Sequence, residues 1–190
     1  SSAKLSPLVE KLLEKHSEVN KIVCVNINAG KICYLRRWPQ ENYVELILGL
    51  YHRFGIKVVL VGGEGDVGYV NDFIMKLPKK INIFNFCGEL SIKELVGLFT
   101  KSRLLITNDS GPLHIASIVG LPTVSFFGPE TPHLYGPLGP KHHVFYEDIF
   151  CSPCINIYNA KASSCNNNIC LKSIGQEIVM KTIEEKNFLT

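Results

Sequence analysis

The chain has 190 residues, 46% of them hydrophobic, which is enough to bury one good core as a single domain or as a domain with a small appendage. Its net charge of +3 is too small and too scattered to indicate a nucleic-acid-binding protein, although it is compatible with an anionic ligand or brief contact with a membrane surface. The longest apolar runs are only as long as a strand and the N-terminus lacks the apolar stretch of a signal peptide, so the sequence predicts a cytoplasmic protein.

Helix and strand patterns alternate along most of the chain. A lead-in segment, residues 1–20, has helical spacing over residues 6–19 and precedes the predicted domain at residues 21–190. Five runs within that domain have the pattern of buried strands, at residues 21–27, 56–61, 81–86, 104–107 and 123–127. Intervening helices are predicted at residues 39–54, 91–102 and 111–119. A further helix follows the loop after the second strand and ends at about residue 77. We therefore expect an α/β fold, with a Rossmann-like parallel sheet flanked by helices.

The C-terminal part of the chain departs from this alternation. Residues 128–141 contain four prolines and three glycines, which predict a rigid loop without regular structure. A cysteine-containing loop follows at about residues 150–170. Apolar residues at helical spacing over residues 171–188 then predict a closing helix packed back on the domain.

The strand-to-helix junction at residues 104–116 is a candidate binding site. Such a junction directs backbone N–H groups and the positive end of a helix dipole at one point, which suits a phosphate. Asp109 and Ser110 can cap the helix, and Gly111 lets a ligand approach the backbone. A capped helix without a ligand would have the same pattern. His114 favours the anion, because a histidine in the first turn otherwise opposes the dipole.

Two further charged groups follow predicted strands, at the edge of the sheet where ligands of parallel sheets bind. The loop that ends in Arg36-Arg37 places two guanidinium groups after the first strand. Glu64 follows the second strand and can accept two hydrogen bonds from the vicinal diol of a ribose, although a solvated loop glutamate is the alternative. Residues 63–68 match the G-x-G-x-x-G pattern, but the match follows the second strand and not the first, so we discount NAD binding.

Four of the seven cysteines form a separate cluster, Cys151, Cys154, Cys165 and Cys170. A C-x2-C pair followed by two further cysteines is a candidate structural zinc site, although the second pair is spaced x4 and not x2. Such a zinc ion would hold the loop in place and take no part in catalysis. Reduced thiols, or disulfides formed on oxidation, are the alternative. Lys161 is the only basic residue of the segment, so a zinc ribbon that binds nucleic acid is not expected.

Five motifs occur in order along residues 21–174. They are Arg36-Arg37-Trp38-Pro39, Val61-Gly62-Gly63-Glu64, Cys87-Gly88 with Leu90-Ser91, the run from Asn108 to Ala116, and Gly120-Leu121-Pro122-Thr123 with Phe127-Gly128-Pro129. Together they resemble the C-terminal half of the glycosyltransferase family 9 heptosyltransferases. That resemblance implies a GT-B architecture of two Rossmann-like domains, of which this chain would be the one that binds the ADP-heptose donor.

The resemblance also implies roles for individual residues. The family's Asp-Ser/Thr-Gly-x-x-His pattern falls on Asp109, Ser110, Gly111 and His114. These residues would hold the donor diphosphate. Arg36 stands where the family usually has a lysine, and it would keep the charge while adding a bidentate fork. Glu64 would be the carboxylate that binds the ribose.

The resemblance therefore implies the donor-binding domain of an inverting glycosyltransferase that acts in lipopolysaccharide core assembly and requires no cofactor. Arg36 and His114 would stabilise the charge of the departing diphosphate. The lipopolysaccharide core acceptor and the catalytic carboxylate would belong to an N-terminal domain, so this chain alone should be inactive. Peripheral contact with the cytoplasmic face of the inner membrane is compatible with this assignment. A sugar-nucleotide epimerase of the same architecture and a non-catalytic nucleotide-binding module are the alternatives.

Overall fold

The computed structural model describes residues 7, 9–10, 22–30, 34–81, 83–160 and 162–189. The predicted helix at residues 6–19 therefore lies largely outside the described residues. Residues 7, 9 and 10 are helical, and Val9 is buried against apolar side chains of the domain.

Six strands form one sheet. They are β1 (Ile22–Asn26), β2 (Lys57–Leu60), β3 (Ile83–Asn85), β4 (Leu104–Asn108), β5 (Thr123–Phe127) and β6 (His142–Tyr146). All neighbouring strands are parallel, in the order β3-β2-β1-β4-β5-β6. The residues of β1, β4 and β5 are buried throughout, as expected for central strands of a sheet covered on both faces. The predicted α/β class with a Rossmann-like parallel sheet is confirmed.

The sequence predicted five strands, and this number is wrong because β6 was missed. The strand lies at the edge of the sheet, where Val144 pairs with Ser125 of β5. It is only half-buried, and it begins with two histidines directly after a proline-rich loop. An edge strand of this composition lacks the β-branched run by which the other strands were found.

Seven α-helices follow β1 and lie wholly within the described ranges. They are α1 (Gln40–Phe54), α2 (Val67–Ile74), α3 (Ile92–Phe99), α4 (Gly111–Val119), α5 (Pro132–Tyr135), α6 (Ile169–Lys172) and α7 (Gln176–Glu185). The capping box predicted before α3 is confirmed, since the Ser91 N–H donates to Glu94 Oε2 at 2.8 Å and the Glu94 N–H donates to Ser91 Oγ at 3.4 Å. None of these helices is both long and apolar enough to cross a membrane.

Two predictions for the C-terminal part need correction. Residues 128–141 are not wholly irregular, because Thr131 caps the short helix α5 by accepting a hydrogen bond from the His133 N–H. The single closing helix predicted at residues 171–188 is two helices, α6 and α7, which are separated at Ser173 to Gly175. Apolar residues continue at helical spacing across Ser173 to Gly175, so the sequence pattern does not indicate that the helix is broken there.

The core has two layers, one on each face of the sheet. Val23 and Val25 of β1 pack with α1 and α7 on one face, whereas Ile22 and Cys24 pack with α3 and α4 on the other. This alternation follows from the two-residue period of a strand. Both faces are therefore covered by helices, and the carboxyl-terminal edge of the sheet is left for a ligand.

Candidate functional site

The order of the strands reverses between β1 and β4, at the centre of the sheet. Ligands of open α/β sheets bind at this kind of reversal, outside the carboxyl ends of the strands. Residues that follow β1, β2, β4 and β5 line a cavity of about 310 Å³ at this point. We call it the central cavity.

Asn108, the last residue of β4, connects the segments around the central cavity. Its Oδ1 accepts hydrogen bonds from the Trp38 N–H at 2.9 Å and from the Tyr43 hydroxyl at 3.1 Å. Its Nδ2 donates to the carbonyl oxygens of Ile27 at 2.9 Å and Asn28 at 3.1 Å. The side chain is buried and makes four hydrogen bonds, so it fixes the segment before α1 relative to the end of β1. Asn108 belongs to the sequence motif at residues 108–116, but the pattern of that motif does not predict its role.

Ser110 occupies the N-cap position of α4, but neither it nor Asp109 makes the expected capping hydrogen bond. Its Oγ accepts from Asn26 Nδ2 at 2.8 Å and donates to the carbonyl oxygen of Asn108 at 3.1 Å. The hydroxyl is therefore turned back towards the sheet. The first turn of α4 consequently faces the central cavity without a side-chain cap, and Gly111 and His114 line the cavity there.

Arg36 and Asp109 form an ion pair in the wall of the central cavity. Arg36 Nη1 lies 3.2 Å from Asp109 Oδ2, and Nη2 donates to the carbonyl oxygen of Ala29 at 3.1 Å. The buried Nε of Arg36 has no hydrogen-bond partner among the described residues. Burial raises the pKa of Asp109 above its ordinary value, and the Arg36 guanidinium offsets only part of that effect.

The second arginine of the motif serves a different purpose. The Arg37 guanidinium lies 4.0 Å from the centre of the Tyr69 ring and donates to the carbonyl oxygen of Gly30 at 3.5 Å. It does not line the central cavity. Of the two guanidinium groups that the sequence placed after β1, only Arg36 is therefore available to a ligand there.

Of the six predicted ligand-binding residues, five line the central cavity: Arg36, Asp109, Ser110, Gly111 and His114. Glu64 does not. It is exposed and begins a 3-10 turn, Glu64–Asp66, while its neighbours Gly63 and Asp66 line the cavity. Asp66 Oδ2 accepts a hydrogen bond from the Gly63 N–H at 3.2 Å, which fixes this turn. Glu64 therefore lies at the rim, one residue from the wall.

Five polar residues of the wall were not among the predicted site residues: Asn26, Asn28, Asp66, Glu130 and Tyr135. Glu130 is only 2% exposed and follows β5 by three residues, in a segment that was expected to be a plain loop. The only signal in the sequence was its position after a strand. That signal is weak, because any loop glutamate has the same appearance.

A second cavity of about 200 Å³ adjoins the first and shares Gly62, Gly63, Gly111 and Pro112 with it. Its remaining walls are almost wholly apolar and are formed by Val61, Phe86, Leu90, Ile92, Leu95 and Ile115. We call it the apolar cavity. The two cavities together offer a charged compartment and an apolar compartment on either side of the N-terminus of α4.

The cysteine segment packs beneath the turn that carries Glu130. The N–H groups of Cys154 and Ile155 both donate to the carbonyl oxygen of Pro129, at 2.9 and 2.8 Å. The four thiols do not form a metal site, since no group of three or more candidate ligands is gathered anywhere in the described part of the chain. Cys165 Sγ instead accepts from the Asn168 N–H at 3.2 Å. The cluster therefore does not fit the predicted zinc ion in this conformation.

Comparison with known proteins identifies relatives for this arrangement. The family model described as glycosyltransferase family 9 (heptosyltransferase) matches residues 7–163. The lipopolysaccharide heptosyltransferase 2 of Salmonella typhimurium strain LT2 is 32% identical over 111 residues, which cover 57% of this chain and 32% of that protein.

Solved structures agree with the sequence comparison. The ADP-heptose lipopolysaccharide heptosyltransferase II of E. coli superposes with a TM-score of 0.75 at 22% identity, covering 96% of this chain and 52% of that one. TibC, a dodecameric iron-containing glycosyltransferase of enterotoxigenic E. coli, superposes with a TM-score of 0.63 at 17% identity, covering 87% of this chain and 45% of that one. The chain thus spans about half the length of these solved relatives.

Proposed function

Because the chain belongs to glycosyltransferase family 9, the heptosyltransferases, we propose that it is the nucleotide-sugar-binding domain of an inverting, metal-independent glycosyltransferase of lipopolysaccharide core assembly. The proposed donor is ADP-heptose. The observation that carries the proposal is the uncapped first turn of α4, which faces a cavity shared with Arg36 and His114. The N-terminus of α4 and Arg36 supply positive potential there and His114 supplies a further donor, which together suit a diphosphate.

The diphosphate would lie in the central cavity, against the first turn of α4. Arg36 lines the cavity while its Nη1 holds Asp109, so its guanidinium can attract a phosphate oxygen without giving up the ion pair. Gly111 presents no side chain that would keep the phosphate from the backbone. His114 is exposed one turn along the helix and supplies a further N–H donor.

The adenosine would extend from the diphosphate into the apolar cavity. A purine ring has two apolar faces, and Leu90 and Ile115 offer the aliphatic surface that such a ring packs against. Glu64 would bind the ribose hydroxyl groups from the rim that lies between the two cavities. Its exposure in the ligand-free protein leaves its side chain free to turn towards a ribose.

In the proposed reaction, an acceptor hydroxyl attacks the anomeric carbon of the sugar, the bond to the diphosphate oxygen breaks, and ADP leaves with the bonding electron pair. Arg36, His114 and the N-terminus of α4 stabilise the negative charge that develops on the leaving group. The acceptor and the base that takes its proton would belong to an N-terminal domain. Sugar transfer by this chain alone would contradict that division.

A screen of nucleotides by titration calorimetry tests the proposal. The purified chain should bind ADP more tightly than UDP, GDP or NAD, because the groups proposed to hold ADP all come from this one domain. Tighter binding of NAD would instead support the discounted dinucleotide site. Absence of ADP binding at millimolar concentration would remove the donor-site assignment.

A further inference from the structure

We propose that Glu130 binds hydroxyl groups of the donor's sugar and thereby determines which sugar the protein accepts. The inference rests on the proposed function, since it assumes that the central cavity holds a nucleotide sugar. It assigns a role to the buried carboxylate of Glu130, which makes none of the contacts proposed for ADP.

The electrostatics of the central cavity argue that Glu130 does not bind phosphate. Glu130 lies close enough to Asp109 for its negative charge to disfavour ionisation of that residue. Arg36 is already paired with Asp109, so the wall to which Glu130, Asp109 and Arg36 contribute carries two carboxylates and one guanidinium. A diphosphate placed against Glu130 would be repelled. The diphosphate therefore belongs near α4, and an uncharged part of the ligand belongs near Glu130.

A sugar is the uncharged part that suits a carboxylate. The two oxygens of a carboxylate only accept hydrogen bonds when ionised, and a vicinal diol provides two donors at matching separation. Tyr135 lines the same wall and adds a phenol group that can donate or accept. The sugar follows the diphosphate in the donor, so it would occupy the part of the cavity that the phosphates leave free.

The backbone that carries Glu130 is fixed on both sides. A carboxylate must be held in place in this way if it is to distinguish sugars by the arrangement of their hydroxyl groups. The carbonyl oxygen of Pro129 accepts two N–H groups from the cysteine segment, those of Cys154 and Ile155. Gly128 is packed so closely on α6 that a Cβ there would lie 2.7 Å from Cys170 Sγ. Thr131 caps α5 immediately after Glu130. A carboxylate on a backbone held in this way discriminates against a sugar whose hydroxyl groups do not match its position.

The variant Glu130→Gln tests the role, because it keeps the size of the side chain and removes its charge. Calorimetry with the full 190-residue chain would compare ADP with ADP-heptose. We expect ADP-heptose to bind about tenfold more weakly and ADP to bind within about twofold of the parent, since charge-assisted hydrogen bonds are about twice as strong as neutral ones. Glu147→Gln is the matched control, because Glu147 is exposed and does not line the cavity.

Equal weakening of ADP and ADP-heptose would overturn the proposal, because Glu130 would then act on the nucleotide or on the fold. Unchanged binding of both ligands would overturn it as well. If Glu130→Gln does not fold, Glu130→Asp keeps the charge, and it should still weaken ADP-heptose more than ADP because its carboxylate is withdrawn by one methylene. A parent chain that binds neither ligand would refute the proposed function itself, whereas binding of ADP with no sugar-dependent change refutes only the role of Glu130.

Discussion

Gly111 and Pro112 are the residues of α4 that line both cavities. A Cβ at Gly111 would meet no heavy atom within 4 Å. The substitution Gly111→Ala should therefore not lower the melting temperature. It should weaken ADP binding at least about fivefold, because the added methyl group would occupy space that the diphosphate needs. Calorimetry and thermal unfolding measure the two effects.

Gly68→Ala is the matched control for that substitution. Gly68 also has open space around its Cβ position, but it lies within α2 and lines neither cavity. We expect ADP affinity to be unchanged and stability to rise by about 0.5–1 kcal/mol, since alanine favours the helix over glycine. Parental ADP affinity in Gly111→Ala would contradict the proposed position of the diphosphate.

The residues of the junction were predictable because their roles depend on local geometry. Asp109, Gly111 and His114 follow one another at a strand-to-helix turn, and the structure places all three in the central cavity. Asn108 and Glu130 were not predictable in the same way. Asn108 acts through partners about 70 and 80 residues away in sequence, at Trp38 and Asn28, and such partners are known only once the sheet has formed.

At the scale of elements, the cysteine segment supports the turn after β5 through backbone hydrogen bonds and thiol packing. A zinc ion would have to draw four sulfur atoms together, whereas Cys170 Sγ packs against Gly128 and Cys154 Sγ accepts a hydrogen bond from Ser163. Burial raises the pKa of Cys170 to about 11, with a smaller contribution from the neighbouring thiols, so this residue is a neutral thiol at physiological pH in the metal-free protein.

We therefore expect the four thiols to be reduced and metal-free. Elemental analysis for zinc and iron, on protein purified under reducing conditions without chelator, should give well under one ion per chain. Iron is included because TibC, a solved relative, is iron-containing. The variant Cys151→Ser should unfold at the parental temperature, since Cys151 is exposed. One zinc or iron per chain, together with a lower melting temperature of Cys151→Ser, would instead establish a structural metal site.

Helices and strands with a strong periodic pattern of apolar residues were predictable. Those whose position depends on packing against the rest of the fold were not. The central strands and α4 agree with expectation to within a few residues, since their apolar runs match a buried sheet and its helices. The edge strand β6 has no such run. The break between α6 and α7 depends on how each helix packs, because α7 lies against α1 while α6 lies beneath β5.

At the scale of the whole molecule, the reversal of strand order places the complete set of proposed donor-binding groups on one domain. The chain spans about half the length of its solved relatives, and it nevertheless contains both the charged and the apolar cavity. Binding of the donor should therefore be separable from transfer of the sugar. A sequence motif alone could suggest this separation, and the presence of both cavities on one domain gives it a physical basis.

Titration of ADP into the parent chain, His114→Ala and a control variant is the most direct measurement of donor binding. His133→Ala is the control, because His133 is exposed on α5 and does not line either cavity. ADP should bind the parent and the control alike and bind His114→Ala more weakly by at least about 1 kcal/mol, the size of a lost charge-assisted contact. Asp109→Ala should be weakened to a similar extent, because it removes the ion pair that positions the Arg36 guanidinium. Parental affinity in both His114→Ala and Asp109→Ala would contradict the assignment of the central cavity to the donor diphosphate.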